Sequence, residues 1–522
     1  MRTIKKSQRE EMIQKMKKKI FIILVIIAII IAVVLGLKKA NTNKYNYEIE
    51  EITNYNYYIS KENEKYGVID KEGNQIIETK YDTIIIPNPE KDIFICYTGD
   101  ENAEILNSKG EKLFSQYEEV QPIKLKSEAS TLTYEKSVLT YKKDGLYGLI
   151  SFDGKTITQN IYSTIENLQP TEGKFLVSKD EKYGVIDLKG NTLVETEYDK
   201  IESDGYYTLK DKYKKSGYII SVRTDDGYKS GYINYSGKKI LETKYNEIER
   251  LSKEDEKNIY LIASEEGKVG LYKNSKNVIK HEYQSITYND QNNVILQKNK
   301  KYGAALLDGK IVINVDNESV ESKGIYLYTK SQDGNKVYDE NGNVININYN
   351  KTIYETESED YRISTILNNN VTYYGITDKS GNKLVDENYR YIEYLYKNYF
   401  IATDENGNLG VINSNGKIIL EMKYSSLQKI KGKQMVQAVE NGTNTSEFYS
   451  SDMKEILKIS KPNIQMEDDY IVVSNDEEKQ YLDNNGNIIQ DINNLKQPNY
   501  PNEIGDYKKE QITVENVYYI KK

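Results

Sequence analysis

The segment KYGVIDLKGNTLVETEYDKI, residues 182–201, decides the fold of this chain. After Lys182, residues Tyr, Val and Asp alternate with Gly and Ile, which is the period of a β-strand. Asp187 and Gly190 then occupy the first and fourth positions of a tight turn, where a carboxylate accepts backbone N–H bonds and glycine tolerates positive φ. A second strand follows at residues 192–195, so the segment predicts a hairpin with a bulge at the glycine.

The hairpin is part of a unit that recurs along the chain, and such internal repetition is the sequence signature of a repeat architecture. An apolar run at 175–178 precedes it and a short extended piece at 198–201 follows, so a unit is expected to contain three strands and a short fourth element. We place the unit glycine, or its equivalent, near twelve positions that are roughly 37 residues apart. These positions are 67, 104, 148, 184, 231, 270, 303, 336, 375, 410, 446 and 480, of which 104, 336 and 446 are degraded.

A glycine inside a strand, such as Gly184, weakens the strand and therefore needs a reason. The expected reason is that an aromatic ring from a neighbouring strand or unit approaches the backbone closely. The candidates for this ring are the tyrosines that follow the unit glycine by fourteen residues, namely Tyr81, Tyr198, Tyr245, Tyr389 and Tyr424.

The unit resembles the bacterial WG repeat, in which Trp-Gly-x-Ile-Asp-x-x-Gly is followed by two apolar residues and then a Tyr-Asp pair. Tyr183 and Gly184 stand where that family has Trp-Gly, and the chain contains no Trp. The resemblance covers residues 55–489. It implies an interaction or surface module whose ligand is mostly unknown, and it implies no shared catalytic residues.

These features predict an all-β repeat protein of about twelve units, each with three to four short antiparallel strands. A β-propeller-like arrangement and an open stack of β-repeats both fit the spacing. Because propellers usually have about four to eight blades, the propeller interpretation suggests two lobes that part near residue 290. A last strand at residues 512–520 is expected either to pair with the first strand, residues 55–60, and close a ring, or to cap an open stack.

The N-terminal part has the pattern of a membrane anchor. Residues 1–19 carry eight Lys or Arg against two Glu, and residues 20–37, from Ile20 to Leu37, contain no polar side chain. A helix of that length is roughly 27 Å long, close to the thickness of a bilayer core. We therefore expect a cytoplasmic tail at 1–19, a transmembrane helix at 20–37, a linker at 38–54 and an extracellular repeat region at 55–522, all at the cell membrane. A cleaved signal peptide and a buried soluble helix are the alternatives.

The composition argues against several kinds of site. The net charge is −8, and the negative excess is larger without the basic tail, which argues against a nucleic-acid partner. A single His, His281, is expected at the surface, and a single Cys, Cys96, in the core, so the chain has no basis for a disulfide or a zinc cluster. The Asp-x-x-Gly-Asn turns lack the spacing of a calcium loop, and we expect no metal and no cofactor.

Acidic residues recur at one position of the unit. A residue that repeats in this way usually serves the scaffold, so no catalytic residue is assigned and the chain is not expected to be an enzyme. A glycosidase would need an opposed pair of carboxylates, and no single pair stands out in the sequence. The recurrent glutamates are Glu78, Glu195, Glu242 and Glu421.

Binding in a repeat protein is expected where the units differ from one another. One such place is residues 389–396 (YRYIEYLY), in which Tyr391, Tyr394 and Tyr396 are the predicted ligand-binding residues, provided that they are exposed. Another is the long interval between Gly184 and Gly231, which is expected to form a protruding hairpin. Core packing is the alternative for these tyrosines. The interval contains Tyr206, Tyr207, Tyr213, Tyr218 and Tyr228.

The leading hypothesis is a membrane-anchored extracellular binding or scaffold protein, whose partner is a protein, a peptide or a glycan at the cell surface. A cell-wall- or glycan-active hydrolase on the same scaffold is the alternative, and a sensor or division-complex subunit is a third possibility. The near absence of His and Cys favours binding over catalysis. The sequence does not name the ligand.

Overall fold

The computed structural model describes residues 52–99, 103–126, 132–168, 173–207, 213–253, 255, 257–289, 292–466, 470–490, 500–511 and 517–522. Within these residues the chain forms strands, turns and loops, arranged in small and almost entirely antiparallel sheets. Each of the twelve expected glycine positions lies in one of the strands. The prediction of an all-β repeat protein is therefore confirmed, and we number the units from one to twelve in chain order.

Units one to four begin at Tyr57. Their strands are β1 (Tyr57–Glu62), β2 (Lys65–Asp70) and β3 (Gln75–Tyr81); β4 (Thr83–Ile85), β5 (Phe94–Tyr97) and β6 (Glu104–Leu106); β7 (Glu119–Lys126), β8 (Leu132–Lys143) and β9 (Leu146–Ser151); β10 (Thr164–Asn167), β11 (Lys174–Lys179), β12 (Lys182–Asp187) and β13 (Thr192–Tyr198).

Units five to seven have four strands each, and unit eight has three. Their strands are β14 (Lys200–Tyr207), β15 (Tyr213–Thr224), β16 (Gly227–Asn234) and β17 (Lys239–Tyr245); β18 (Glu247–Arg250), β19 (Tyr260–Glu265), β20 (Lys268–Lys273) and β21 (Lys276–Tyr283); β22 (Ser285–Tyr288), β23 (Asn293–Lys298), β24 (Lys301–Leu306) and β25 (Ile311–Asn317); β26 (Ser319–Lys323), β27 (Tyr326–Lys330) and β28 (Lys336–Tyr338).

Units nine to twelve precede a C-terminal group of three strands. The strands are β29 (Lys351–Glu355), β30 (Tyr361–Asn368), β31 (Val371–Asp378) and β32 (Lys383–Tyr389); β33 (Tyr391–Tyr396), β34 (Tyr399–Thr403), β35 (Leu409–Asn413), β36 (Ile418–Lys429), β37 (Met435–Glu440), β38 (Thr445–Ser450) and β39 (Glu455–Ser460); β40 (Asn463–Met466), β41 (Tyr470–Ser474) and β42 (Lys479–Asp483); β43 (Glu503–Ile504), β44 (Tyr507–Gln511) and β45 (Val517–Lys521). Units ten and eleven share one seven-stranded sheet through the long strand β36.

The turn expected at Asp187 is present in unit four. The Asp187 carboxylate accepts hydrogen bonds from the backbone N–H groups of Lys189 (2.9 Å) and Asn191 (2.8 Å). Gly190 has a φ of +74° and donates its N–H to the Asp187 carbonyl at 2.9 Å. The Asp187 carboxylate is therefore engaged by the backbone N–H groups of its own turn. Aspartate at this position stabilises the hairpin, as the sequence predicted.

The core lies between consecutive sheets rather than inside one of them. In the contact between units four and five, Val185, Val194 and Tyr198 of one sheet pack with Tyr218 and Ile220 of the next. Each sheet therefore buries an apolar face against its neighbour, which is why one unit alone cannot form a core. The tyrosines after the unit glycine belong to these interfaces.

The neighbour of most unit glycines is not the expected aromatic ring. A Cβ on Gly184 would lie 2.7 Å from the carbonyl oxygen of Val194, on the next strand of the same unit. The physical reason is that the register of β12 and β13 shifts beside Gly184, so the bulged backbone of β13 crowds against it. In unit three, by contrast, the ring of Tyr141 does take that place, 2.6 Å from a Cβ on Gly148.

The C-terminal strand returns to the first unit. Strand β45 pairs in parallel with β1, with Ser60 opposite Tyr519, and the two join a six-stranded sheet. The turn between β43 and β44 lies against Gly73, much as Leu193 of unit four lies against Gly237 of unit five. The pairing of the last strand with the first, one of the two arrangements expected for it, is therefore present.

The predicted location of the protein is contradicted. Among residues 52–522, where the structure describes the chain with short gaps, no helix is long and apolar enough to cross a membrane. The secondary structure of these residues consists of β-strands joined by turns and loops. The segment 20–37, on which the expected anchor and the extracellular location depended, lies outside the described residues, as do the tail at 1–19 and most of the linker. The division near residue 290 stays a prediction.

Candidate functional site

An ion pair lies at one end of units one and four. In unit four, the Asp199 carboxylate accepts a hydrogen bond from the ammonium group of Lys182 at 2.6 Å and from the backbone N–H of Arg223 at 2.8 Å. In unit one, Asp82 makes the same contacts with Lys65 and with the backbone of the next unit. The aspartate follows the third-strand tyrosine directly, and it joins its own unit to the next hairpin.

Unit nine has Arg390 at this position. The backbone N–H of Arg390 donates to the Thr403 carbonyl at 2.9 Å, as the N–H of Asp199 donates to the Ser221 carbonyl at 2.9 Å, so the two positions are structurally equivalent. Tyr373, two residues before the unit glycine, stands where unit four has its lysine. The guanidinium carbon of Arg390 lies 5.5 Å from the centroid of the Tyr373 ring.

The ion pair of units one and four is thus replaced in unit nine by a cation–π contact. A lysine and an aspartate together are neutral, whereas a tyrosine and an arginine leave one positive charge. Arginine has donors only, so Arg390 cannot accept the backbone N–H that Asp199 accepts. The hairpin of unit ten is instead held by Asp404, which accepts the N–H groups of Asn406 and Asn408, both at 2.9 Å.

Tyr391 adjoins this contact and is the most exposed of the three predicted binding residues. Its side chain is 44% exposed, and its ring meets that of Tyr374 edge to face, with 5.2 Å between the centroids. Burial of part of the ring and the nearby Glu393 carboxylate raise the pKa of Tyr391, which keeps the phenol neutral at pH 7. These two contacts, Arg390 with Tyr373 and Tyr391 with Tyr374, lie where unit nine meets unit ten, and we call the four residues the Arg390 patch.

Tyr394 and Tyr396 lie elsewhere, around a lysine of the chain itself. The ammonium group of Lys429 is 5.5 Å from the Tyr394 ring and 5.4 Å from the Tyr396 ring, and it pairs with Glu357 at 2.9 Å. The register of β33 and β34 shifts between the two tyrosines, and both rings contact this lysine. The Tyr396 hydroxyl donates to backbone carbonyls of β37 and the loop before it, at 3.2 and 3.1 Å.

The structure therefore separates the three predicted residues into two groups. Tyr391 belongs to an exposed patch, while Tyr394 and Tyr396 are half-buried and already hold an internal cation. Their role in ligand binding stays a prediction. The sequence analysis did not identify Arg390. The signal that indicates it is an arginine directly after Tyr389, where units one and four have an aspartate. Alignment of the units on their glycines alone does not reveal this difference.

The long interval in unit five contains a buried polar cluster that the sequence analysis also missed. Arg250 stacks on Tyr206 with 3.9 Å between the guanidinium carbon and the ring centroid, and its Nε donates to the Ser216 hydroxyl at 2.6 Å. The Tyr232 hydroxyl donates to Asp204 at 2.5 Å. Burial raises the pKa of Asp204, although Tyr232 and Arg250 oppose the rise. These groups satisfy one another, so the cluster fixes the base of the hairpin formed by β14 and β15.

Two of the described tyrosines of that interval are packed against other side chains of the protein. Tyr206 stacks on Arg250, and Tyr218 is fully buried between units four and five. Tyr228 is 51% exposed and is the second residue of β16. The described part of the interval thus offers one exposed tyrosine rather than a cluster of them.

Two single residues complete the comparison with the sequence. Cys96 is buried as expected, and burial raises the pKa of its thiol to about 12. The expectation that His281 lies at the surface is wrong, because its ring stacks on Tyr245 at 5.8 Å and its Nε2 atom is buried. Within the described residues, no cluster of acidic, His or Cys side chains is arranged to hold a metal ion.

Glu447 is a buried carboxylate in the sheet of units ten and eleven. Its side chain is 3% exposed and accepts hydrogen bonds from Tyr424 at 2.5 Å, Tyr449 at 2.6 Å and Lys458 at 2.6 Å. Although burial alone would raise the pKa of Glu447, these donors hold it at about 2. A carboxylate that stays ionised and is enclosed by three donors supports the packing of units ten and eleven. The recurrent glutamates of the scaffold, in contrast, are exposed on the third strands.

Comparison with known families finds the repeat in four segments of the chain. The family model described as WG containing repeat matches residues 66–87, 183–210, 231–268 and 410–441. The chain carries WG repeats. Two of the matched segments belong to units one and four, which have the Lys–Asp pair. The Arg390 patch lies between the matched segments, in unit nine, which lacks that pair.

The other comparisons add little. No curated protein matches the WG-repeat chain. A solved crystal structure of the tricorn protease is 11% identical over 80% of this chain, with a TM-score of 0.19, and the chain spans 46% of the length of that protein. A similarity this weak carries no argument about fold or activity.

Proposed function

We propose that this WG-repeat chain is a binding or scaffold protein, and that its ligand contacts the Arg390 patch. The observation that carries the proposal is that unit nine has an exposed arginine and a tyrosine in cation–π contact where units one and four have a neutral ion pair. A position at which the units differ in this way is free to serve recognition. The proposal assigns no catalytic residue.

A propeller-like arrangement of the units is the form of scaffold that we infer. The pairing of β45 with β1 supports it, because a ring is closed when the last strand completes the first sheet. The packing of each sheet on the next supports it as well. In such an arrangement the bends between units lie along a rim, and the Arg390 patch occupies the bend between units nine and ten.

The candidate ligands are a protein, a peptide or a glycan. An exposed tyrosine supplies a large, rigid contact surface, and aromatic side chains with arginine dominate the energetics of many binding surfaces. Tyr391 and Arg390 are both exposed and consecutive in the chain, so their Cα atoms are about 3.8 Å apart. We infer that a ligand at this bend contacts the Tyr391 ring.

Glycan and protein arrays probed with the full chain test the proposal. We expect at least one ligand that binds the wild type and is lost with Tyr391→Ala. Tyr228→Ala is the matched control, because it removes an equally exposed tyrosine from another unit. If no array ligand depends on Tyr391, the proposed site is wrong.

A further inference from the structure

We propose that Lys429 is a second binding site, which takes a carboxylate of an acidic peptide, and that Glu357 of the same chain occupies this site when no peptide is bound. The site contains no residue of the Arg390 patch, so it goes beyond the proposed function. Tyr391 begins β33 and Tyr396 ends it, so the two sites lie at opposite ends of that strand.

The ion pair between Lys429 and Glu357 joins two units that are not neighbours. Glu357 belongs to the loop of unit nine between β29 and β30, whereas Lys429 is the last residue of β36, in unit eleven. The ammonium nitrogen lies 2.9 Å from the carboxylate and 5.5 and 5.4 Å from the rings of Tyr394 and Tyr396 in unit ten. Among the residues that the structure describes, no other carboxylate pairs with Lys429. A loop of unit nine therefore reaches across unit ten to a cation that two rings position.

Arg250 supplies a reference for this position within the same chain. It ends β18 as Lys429 ends β36, and in each case the next residue is buried and donates its N–H to the following strand. The carboxylate beside Arg250 is that of Asp204, whose side chain is only 14% exposed, whereas the side chain of Glu357 is 79% exposed. The cation of unit six is thus enclosed with a buried partner, while the cation of unit eleven is covered by a partner that solvent surrounds.

Release of Glu357 leaves the rest of its loop in place. Glu355, two residues earlier, pairs with Arg362 at 2.7 Å, and the hydroxyl of Thr356 donates to a backbone carbonyl of β30 at 2.7 Å. Exposed ion pairs are weak in water, so little opposes the separation of Glu357 from Lys429. The Glu357 side chain can therefore turn away while the loop stays folded, and a carboxylate from another chain can take its position on the ammonium group.

The loop itself indicates the class of ligand. Residues 355–360 have the sequence ETESED, which carries four exposed carboxylates, so the segment that now occupies the site is an acidic peptide. A lysine ammonium is a compact point charge that accepts a single carboxylate oxygen and does not need the paired oxygens that suit an arginine. Lys431, exposed in the turn after Lys429, places a second cation near the site. A peptide with several carboxylates is thus favoured over a molecule with one.

Occupation by Glu357 makes the site compete with its own ligand. A peptide binds only those molecules in which Glu357 has left Lys429, and its apparent affinity is reduced by that fraction. Removal of the competing charge with Glu357→Gln should therefore strengthen the binding of an acidic peptide by about two- to fivefold, the range that a weak exposed ion pair allows. A pair with only a structural role would leave binding unchanged.

The test measures the binding of a fluorescent peptide of tandem ETESED copies to the full chain, with tandem QTQSQN copies as the neutral analogue, at constant ionic strength. We expect the acidic peptide to bind at least tenfold more tightly than the analogue. Lys429→Met, which keeps an aliphatic stem beside the rings and removes the charge, should reduce that binding at least tenfold. Lys323→Met is the matched control and should stay within twofold of the wild type, because Lys323 also pairs with a glutamate and lies 5.6 Å from a tyrosine ring.

Several outcomes would overturn the inference. Equal binding of the acidic and neutral peptides, indifference to Lys429→Met, or unchanged or weaker binding by Glu357→Gln would each exclude the site. Tighter binding of polygalacturonate than of the acidic peptide would assign the site to an acidic glycan, and a loss with Arg390→Asp instead of Lys429→Met would assign the peptide to the Arg390 patch. A melting temperature unchanged within about 2 °C shows that each variant keeps the fold. Glu357→Gln, at an exposed side chain, keeps the test decisive if Lys429→Met is less stable.

The array test of the proposed function depends on Tyr391 and not on Lys429, so the two proposals fail independently.

Discussion

The guanidinium group of Arg390 lies over the ring of Tyr373, 5.5 Å from its centroid, at the place where unit four has the ion pair between Lys182 and Asp199. Two residues that are seventeen positions apart are in contact in both units, but their chemistry differs. The geometry of the repeat is therefore kept while its surface charge changes. A difference of this kind between units is a way in which a repeat protein can place a binding site on its scaffold.

The first prediction concerns the unit glycine. Gly184→Val should destabilise the protein by about 1–3 kcal/mol, the usual cost of overpacking, because a Cβ there would lie 2.7 Å from the Val194 carbonyl oxygen. Lys189→Ala, on the exposed turn of the same unit, should change stability by no more than about 0.5 kcal/mol. Urea unfolding of both variants checks this, and equal shifts in midpoint would contradict the close contact.

The second prediction concerns the pH dependence of Glu447. Its folded-state pKa of about 2 lies below the value of about 4.3 for an unperturbed glutamate, so its ionised form stabilises the fold. This contribution is complete above pH 4.3 and is lost as the pH falls towards 2. Glu447→Gln should therefore be less stable than the wild type by about 1–3 kcal/mol at pH 7, and by much less near pH 2.5.

Urea unfolding at several pH values measures the effect. Glu78→Gln is the control, because Glu78 is an exposed glutamate of the scaffold and its replacement should matter by less than about 0.5 kcal/mol at any pH. A difference between wild type and Glu447→Gln that does not shrink on acidification would show that the carboxylate charge is not what stabilises this interface.

The third prediction separates the tyrosines that the sequence grouped together. Tyr391→Ala should leave the melting temperature nearly unchanged and weaken ligand binding by about 1 kcal/mol or more, as an exposed anchor residue does. Tyr396→Ala should instead destabilise the fold by about 1–3 kcal/mol, because it removes the ring from Lys429 and the hydroxyl from two backbone carbonyls. Thermal melts of the two variants decide this before any ligand is known. Equal loss of stability would place Tyr391 in the core.

The fourth prediction concerns the C-terminal strand. Tyr519 is fully buried, its ring meets that of Tyr58 at 5.1 Å, and its hydroxyl donates to the Pro501 carbonyl at 2.7 Å. Tyr519→Ala should therefore cost about 3–5 kcal/mol, as for other large aromatic truncations in a core. Lys521→Ala, exposed in the same strand, should be nearly neutral. Similar melting temperatures for the two would argue that β45 contributes little to the first sheet.

Much of the fold was predictable because local chemistry determines it. Asp187 and Gly190 specify a turn through their own backbone preferences, and the recurrence of that turn gives the number and spacing of the units. The neighbour of Gly184 was not predictable. A glycine within a strand indicates that another atom approaches the backbone closely, but it does not identify that atom. The bulge between Tyr394 and Tyr396 likewise changes which residues face the same way.

The candidate site was predictable only in part, for a similar reason. The tyrosine-rich segment at 389–396 stood out by composition, and Tyr391 in it is exposed. Whether a tyrosine is free depends on partners far away in sequence, such as Lys429 for Tyr394, and no local pattern shows them. The backbone hydrogen bond from Arg390 to Thr403 shows that Arg390 is structurally equivalent to Asp199, and the sequence alone does not show this equivalence.

The most direct measurement of the central claim is ligand binding by the double variant Tyr373→Lys/Arg390→Asp, which gives unit nine the ion pair of units one and four. Exposed ion pairs contribute about 0–1 kcal/mol, so the variant should unfold at nearly the same urea concentration as the wild type. We predict that the folded variant loses at least tenfold in affinity for the ligand that wild type binds through Tyr391. A double variant that is folded and binds as tightly as the wild type would contradict the claim that recognition depends on the departure of unit nine from the repeat.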